Sequence, residues 1–226
     1  MQRIFEHRRE YPMKIVRSSM KDQVYTEIKN RILSRQYAPG DPLNIVHLSQ
    51  ELGVSNSPIR EALSMLTNEH LVTMNMNSKF TVVALDEDLL QQLNSSIVSL
   101  LIGAVRLCLR EERMDVLESS MAAAYEEQKA GVGTVDKQKS YWLAVNFDRT
   151  IVTATENQML ISIFDNWYNL LYLSTSLMSE GYNNSIEEHA GIIEAIHARD
   201  FLAIVEALEN HYNKHFIPVN EMEQTK

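Results

Sequence analysis

The sequence contains little of what marks a secreted or membrane-spanning protein. It has one cysteine, Cys108, which excludes an internal disulfide and, placed within an apolar run, is typical of a buried thiol. That run, residues 97–109, is too short and too interrupted by polar residues to cross a bilayer. The basic N-terminal segment lacks the apolar core of a signal peptide. These absences favour a cytoplasmic protein.

Motifs of the common enzyme classes are also missing. The chain has no nucleophile elbow, no phosphate-binding loop and no H-E-x-x-H zinc motif. Its 226 residues, 45% of them hydrophobic, suffice for one large domain or two smaller ones. We therefore expect a binding protein rather than an enzyme.

The net charge of −9 is unevenly distributed along the chain. Residues 1–85 carry 11 Lys and Arg against 8 Asp and Glu, whereas residues 86–226 carry 10 against 22. An acidic protein with a basic end suggests that this end meets a polyanion, although random surface charge gives the same division.

The first part of the chain predicts two short helices around a tight turn. A helix over 45–52, with Asn44 as its N-cap, ends at Gly53, where a left-handed residue is expected. The next helix begins within 54-VSNSPIREAL-63, where Pro58 fits the first turn. Two helices joined in this way form a helix-turn-helix, whose second helix enters the major groove of DNA.

The flanking segments extend this unit to a winged helix. Apolar residues recur at helical spacing in 20–37 until Pro39-Gly40 stops the helix. After the second and third helices, residues 71–85 alternate between apolar and polar side chains around a turn at Asn77-Ser78. Three helices followed by a β-hairpin are typical of a winged helix.

Beyond Asp86 the pattern is helical almost to the end. The predicted helices are 87–110, 113–130, 135–155, 158–179, 186–198 and 201–217. Helices in this number favour an α-helical bundle. We predict a mainly α fold in three parts: a leader over 1–19, a winged-helix DNA-binding domain with a small β-hairpin wing over 20–85, and an all-α domain over 86–226.

The exposed start of the third helix offers side chains that can contact DNA. Arg60 can pair with guanine through two hydrogen bonds, Asn56 can pair with adenine, and Ser55 and Ser57 can bond to phosphate or base. Lys79, at the hairpin tip, could meet a phosphate or the minor groove. Cations of the first helix are further candidates for phosphate contacts: Lys21, Lys29, Arg31 and Arg35. Alternatively, Arg60 is an ordinary surface arginine paired with Glu61 or Glu69.

These residues carry a resemblance to a known family. The segment 53-GVSNSPIREALSMLTNEHLV-72 resembles the pattern G-V-S-R-T-P-V-R-E-A-L-x-x-L-x-x-E-G-L-V of the GntR family of bacterial transcription regulators. The segment 37-YAPGDPL-43 is similar to that family's loop before its second helix. The helices that follow resemble the FCD branch, in which the C-terminal bundle binds a ligand. The resemblance implies a dimeric regulator whose grip on DNA responds to a small molecule.

The sequence departs from the family pattern at several DNA-facing positions. Asn56 stands where the family has its first recognition arginine, and Ser57 stands at its threonine. The wing tip reads Ser78-Lys79 in place of Arg-Gly, whereas Arg60 matches the family. The resemblance therefore implies an operator that differs from those of relatives with arginine at position 56.

Two histidines of the bundle are related by their spacing. The last two predicted helices meet at Arg199-Asp200 with almost no loop and should form an antiparallel hairpin. His189 and His211 lie eleven residues before and after Asp200, so they should stand at the same height. Two neighbouring imidazoles can form half of a metal site, or they can be ordinary hydrogen-bonded histidines.

The resemblance implies a fuller metal set. FCD proteins resemble one another in an Asp and three His, the first two from a D-x-x-x-H pattern. Ala144 stands at the aspartate position and Asp148 at the first histidine position, while His189 and His211 match the others. Two histidines and one carboxylate suit a divalent ion such as zinc, nickel or manganese. The alternative is a metal-free pocket in which Asp148 bonds directly to a histidine.

A small-molecule effector in the bundle is also implied by the resemblance. We predict that its pocket is lined by Asp148, Arg149, His189, His211, Trp167 and Tyr172. Ile97 and Leu101 stand where the branch often has polar residues, which implies a pocket more apolar than usual and without a cation for a carboxylate. The expected effector is a metabolite acid or a more apolar ligand. A homodimer is expected because helix-turn-helix half-sites pair across a two-fold axis.

Two other functions stay open on the sequence alone. Asp148, His189 and His211 could build a metal-dependent enzyme or a metal-only sensor. The winged helix could bind a protein rather than DNA.

Overall fold

A computed structural model describes residues 19–177 and 182–214. Three helices and three short strands form its first part. In chain order these are α1 (Met20–Leu33), β1 (Pro42–Leu43), α2 (Ile45–Leu52), α3 (Asn56–Asn68), β2 (Val72–Met74) and β3 (Phe80–Val82). The predicted winged helix is confirmed, with α2 and α3 as the helix-turn-helix.

Local sequence signals fix the ends of these helices. Ser19 and Asp22 form a capping box at the start of α1. Asn44 caps α2 by accepting from the backbone N–H groups of Val46 and His47. Gly53 closes α2 in the left-handed conformation, with φ of 66°. Helix α2 is therefore held at both ends by residues suited to those positions, and Gly53 opens the turn to α3.

The conformation of Gly53 makes a testable contribution to stability. Gly53→Ala should lower the free energy of unfolding by about 1 kcal/mol, because a Cβ is strained in the left-handed region. An added Cβ meets no atom within 4 Å, so the effect is conformational rather than steric. Urea denaturation measures it. Gly191→Ala is the control, since this helical glycine is equally open, and it should stabilise by about 0.5–1 kcal/mol. Stabilisation by both variants would show that residue 53 is not left-handed.

The wing is a three-stranded sheet with the strand order β1-β3-β2. The hairpin of β2 and β3 was predicted, but β1 was not. Pro42 and Leu43 pair antiparallel with Thr81 and Phe80, which ties the loop before α2 to the wing. Two residues are too few to show an alternating pattern, so only tertiary pairing reveals this strand.

The second part is an all-α bundle. Its described helices are α4 (Glu87–Arg110), α5 (Met114–Gly131), α6 (Lys137–Thr153), α7 (Gln158–Leu177), α8 (Tyr182–His197) and α9 (Phe201–Lys214). Helix α8 begins at Tyr182, four residues before the prediction. The predicted ends of α7 at 179 and α9 at 217, and most of the leader, lie outside the described residues. One apolar core runs from α1 through the wing into α9.

Helix α4 is both the apolar centre of the bundle and incompletely covered. By length and composition it could cross a membrane, a test that core helices also pass. Its buried residues are Leu90, Leu93, Ile97, Leu101, Ala104, Val105 and Cys108. Its other apolar residues, among them Val98, Leu100, Ile102 and Leu109, are only partly buried, so some apolar surface stays accessible on this helix.

Candidate functional site

The N-terminal turn of α3 presents an exposed polar face. Ile59 and Leu63 are fully buried, which turns the opposite side of the helix outward. Ser55, Asn56, Ser57 and Arg60 are exposed on that side. Ser55 is the N-cap by position, but its side chain accepts no capping hydrogen bond. The predicted base-contacting residues are therefore brought together.

Arg60 has a free guanidinium within the described part of the chain. Its two suggested partners are engaged elsewhere: Glu61 accepts from Ser57 Oγ at 3.1 Å, and Glu69 pairs with Lys29 Nζ at 3.2 Å. The hydrogen bond from Ser64 Oγ reaches the backbone carbonyl of Arg60 and leaves its side chain unengaged. An unpaired arginine fork on a recognition helix can form two hydrogen bonds with guanine.

The wing tip is ordered by the side chain of Asn75. Its Oδ1 accepts from the backbone N–H groups of Asn77 at 2.9 Å and Lys79 at 3.0 Å. Ser78 adopts a positive φ of 57° within this turn. Lys79 is exposed, and its ammonium forms no contact with any described residue. The tip thus has a defined backbone from which Lys79 extends into solvent.

Arg31 and Arg35 are engaged within the protein. Arg31 donates to Glu27 at 2.7 Å and to Glu51 at 2.6 Å. Arg35 donates to the carbonyl and hydroxyl oxygens of Ser176 on α7. Their contacts to DNA stay a prediction.

Three buried side chains meet at the centre of the bundle. Asp148 comes from α6, His189 from α8 and His211 from α9. One candidate ligand atom from each lies within 4.8 Å of the others, and all three residues are buried. The rings of His189 and His211 lie 4.8 Å apart, which confirms the neighbouring positions predicted from their spacing around Asp200.

Surrounding residues orient both imidazoles. His189 Nδ1 contacts Gln128 Oε1 at 2.7 Å, and Gln128 Nε2 donates to Ser185 Oγ. His211 Nδ1 contacts a carboxylate oxygen of Glu188 at 2.8 Å. Because these oxygens only accept, both Nδ1 atoms carry protons, and in the neutral form of each ring the lone pair lies on Nε2. The same second layer of acceptors orients histidines in metal sites.

Burial disfavours the ionised form of the Asp148 carboxyl group. Burial raises its pKa from 3.8 to about 6, partly offset by the charge of His211 and a hydrogen bond from Tyr212. Tyr212 donates to Oδ2 at 2.8 Å, whereas Oδ1 is buried without a hydrogen-bond partner among described residues. A buried carboxylate oxygen with no donor calls for a ligand or an ion.

This donor set fits a divalent ion. The centre combines one carboxylate oxygen with two imidazoles whose Nδ1 atoms are held by oxygen acceptors. Ala144, at the position of the missing aspartate, offers no donor atom. The layer of Gln128, Glu188 and Tyr212 was not predicted. Glu188 and Tyr212 are chain neighbours of the two histidines, whereas no sequence signal marks Gln128.

Comparison with known families decides what kind of protein carries these two sites. The model of the bacterial regulatory proteins of the gntR family matches residues 20–82, and that of the FCD domain matches residues 99–214. This chain belongs to the GntR family. It is a transcriptional regulator with a helix-turn-helix part and an FCD effector-binding domain, in a family whose members regulate transcription rather than catalyse reactions.

Relatives of this GntR regulator match it over most of its length. It is 24% identical over 200 residues to an uncharacterized HTH-type transcriptional regulator, YdhC, of Bacillus subtilis, with 86% of each chain covered. It is 24% identical to the gluconate operon transcriptional repressor of Bacillus licheniformis, covering 90% of this chain and 86% of that one. A GntR regulator structure from Rhodococcus sp. RHA1 shares the fold, with a TM-score of 0.68 at 14% identity and coverage of 91% and 98%.

The other three residues of the predicted effector pocket make contacts of their own in the GntR regulator. Arg149 forms two hydrogen bonds with Asp165, at 2.7 and 2.9 Å. Tyr172 lines a cleft of about 700 Å³ between α1 and the bundle. Trp167 is partly buried against the core. The structure groups Asp148, His189 and His211, and the place of Arg149, Trp167 and Tyr172 in an effector pocket stays a prediction.

Proposed function

We propose that this GntR-family regulator recognises its operator with the exposed face at the start of α3. The proposal is carried by Arg60, whose guanidinium is free and exposed beside Asn56. Ser55 and Ser57 supply hydroxyl groups for phosphate or base contacts, and Lys79 supplies a cation at the wing. Arg31 and Arg35 are secondary candidates, since a phosphate would have to compete with their present partners.

Selection from a random DNA library followed by footprinting tests this proposal. A protected symmetrical sequence with steep salt dependence is expected, because neutralised phosphates release counterions. Failure to select any sequence, or binding without salt dependence, would favour the protein-binding alternative. Operator binding would take place in the cytoplasm.

The proposal divides the chain into three parts. The leader spans 1–19, the DNA-binding domain spans 20–85, and the ligand-binding and dimerisation domain spans 86–226. The matched family models, over 20–82 and 99–214, are compatible with that division.

We further propose that Asp148, His189 and His211 hold a divalent ion, of zinc, nickel or manganese type. The supporting observation is the partnerless Oδ1 of Asp148 next to two oriented imidazoles. When bound, the ion would link three helices and leave coordination positions for an acidic effector. Asp148 supplies negative charge, and Glu188 and Gln128 keep the histidine rings in place.

Native mass spectrometry with metal analysis tests this second proposal. An ion retained in stoichiometric amount supports it, and an effector carried through purification would appear in the same spectrum. A protein that is purified without metal and takes up none of the three ions would contradict the metal site and favour the metal-free effector pocket. Turnover of acids or esters with added ion would instead support the enzyme.

A homodimer through the exposed face of α4 completes the proposal. A groove of about 660 Å³ along this face includes Leu100, Gly103, Leu107 and, from α7, Leu160. Its small residues at four-residue spacing, Ser99 and Gly103, allow a second helix to approach closely. A second copy is the occupant because paired half-sites require two winged helices related by symmetry.

Gly103→Glu should dissociate this dimer. A Cβ added at residue 103 meets nothing within 4 Å in the single chain and the residue is exposed, so the variant should fold. In the dimer, facing carboxylates would weaken association by about 100-fold or more. Analytical ultracentrifugation should show wild type at twice the 26.0 kDa chain mass and the variant near 26.0 kDa.

Gly191→Glu is the matched control, because this helical glycine is also open but lies on α8. It should remain dimeric. A dimeric Gly103→Glu protein, or a monomeric wild type, would contradict the proposed interface.

A further inference from the structure

The end of the recognition helix is joined to the bundle by one carboxylate. Glu69, which follows α3, accepts hydrogen bonds from Lys29 Nζ at 3.2 Å and from Asn169 Nδ2 at 2.9 Å. It also accepts from the hydroxyl of Tyr25. Lys29 and Tyr25 belong to α1, whereas Asn169 belongs to α7. Glu69 therefore ties together α1, the end of α3 and the bundle.

Helix α7 is also tied to the residue next to the candidate metal centre. Arg149 follows Asp148 on α6 and binds Asp165 of α7 through two parallel hydrogen bonds. Asp165 and Asn169 are four residues apart, so they are neighbours on one helix face. Both line a cleft of about 280 Å³ together with Glu69. Polar contacts thus lead from beside Asp148 to the end of α3.

A second contact between the two parts falls on the same helix. Arg35, after α1, donates to Ser176 Oγ at 3.0 Å and to the Ser176 carbonyl. Ser176 is buried, two helical turns from Asn169. The winged helix is held against α7 at two separate points, so movement of α7 must affect it.

We propose that the Asn169–Glu69 contact transmits changes at Asp148 to the recognition helix. The proposal rests on the proposed function, since it takes the bundle centre to be the control site. A change of ligand or of side chain at Asp148 alters the position of α6. The two parallel hydrogen bonds between Arg149 and Asp165 oppose sliding of α6 past α7, so α7 moves with α6. Asn169 then shifts Glu69, and with it the last turn of α3.

A double-mutant cycle in the full-length protein tests this route. Amide hydrogen exchange of residues 66–71 is measured in wild type, Asp148→Asn, Asn169→Ala and the double variant. Asp148→Asn should change the exchange rate of these amides at least about threefold when Asn169 is present. It should change that rate by less than about 1.5-fold when Asn169 is absent. A general change in stability would act equally in both backgrounds and would not give this difference.

Asn166→Ala is the matched control, because Asn166 is exposed on α7 beside the same cleft. It should leave the response to Asp148→Asn unchanged. Asn169→Asp, which sets a carboxylate against Glu69, should abolish the response as Asn169→Ala does. Equal responses with and without Asn169, or no response at all, would overturn the proposal. Neither DNA nor metal enters the measurement, so its failure is distinct from failure of operator or ion binding.

Discussion

Replacing Arg60 with alanine is expected to weaken specific operator binding strongly while the protein stays folded. A two-bond arginine–guanine contact contributes about 1–3 kcal/mol of discrimination, so the dissociation constant for the operator should rise about 5- to 150-fold. Non-specific affinity should change little, because most of it comes from phosphates. Fluorescence anisotropy with the selected operator and with a scrambled sequence, at one salt concentration, measures both effects. Arg60 is exposed, so its removal leaves no cavity.

One companion variant separates the charge of Arg60 from the geometry of its guanidinium, and a second is a control. Arg60→Lys keeps the charge but loses the planar fork, so discrimination should fall although the salt dependence persists. Asn68→Ala, at an exposed site in the last turn of α3, should leave binding unchanged. An Arg60→Ala protein with an unaltered footprint and affinity would show that another residue reads the operator.

Replacing Asp148 with asparagine should stabilise the metal-free protein and remove its response to metal. Burial raises the carboxyl pKa from 3.8 to about 6, and two pKa units correspond to about 3 kcal/mol of cost for the ionised form at pH 7.5. Asparagine keeps an acceptor for the Tyr212 hydroxyl without the charge. Urea denaturation should therefore show a higher free energy of unfolding for the variant. Manganese at 100 times its dissociation constant should stabilise only the wild type, by about 2.7 kcal/mol.

The stability difference should depend on pH with a definite sign. Because the folded pKa of Asp148 lies above its unfolded value, the folded state binds more protons between about pH 4 and 6. The cost of ionising Asp148 is absent below that window and complete above it. The free energies of unfolding of wild type and variant should therefore converge as the pH falls. Asp88→Asn, at an exposed carboxylate of α4, is the control and should show no such convergence. An Asp148→Asn protein that is less stable at pH 7.5 would show that the charge is needed for folding.

Short-range signals made much of the fold predictable. Asn44 and Gly53 mark the ends of α2, and the alternating residues after α3 mark the hairpin. Strand β1 escaped prediction because its two residues are specified by pairing with β3 rather than by any pattern of their own. The early start of α8 was missed because Asn183 and Asn184 favour turns when judged locally.

The candidate sites were only partly predictable for similar physical reasons. His189 and His211 could be paired because two helices joined by almost no loop fix the height of each residue. The link between Glu69 and Asn169 spans 100 positions in the chain, so helical periodicity carries no trace of it. Arg31 and Arg35 have the right charge for DNA, yet their partners depend on which surfaces of the fold meet.

The three positions of the bundle centre differ in how readily they can change, because two of them lie on the hairpin of α8 and α9 and one does not. Two histidines and Glu188 belong to one locally folding unit, so loss of either histidine disturbs a contact that the hairpin itself forms. Asp148 comes from α6 and is the only member of the trio added from outside that unit. If the proposed ion binds here, a single codon on α6 can exchange a hard oxygen donor for a softer nitrogen, or for none, and the contact between the two histidines persists. The hydrogen bond from Tyr212 is then what such an exchange at residue 148 has to replace.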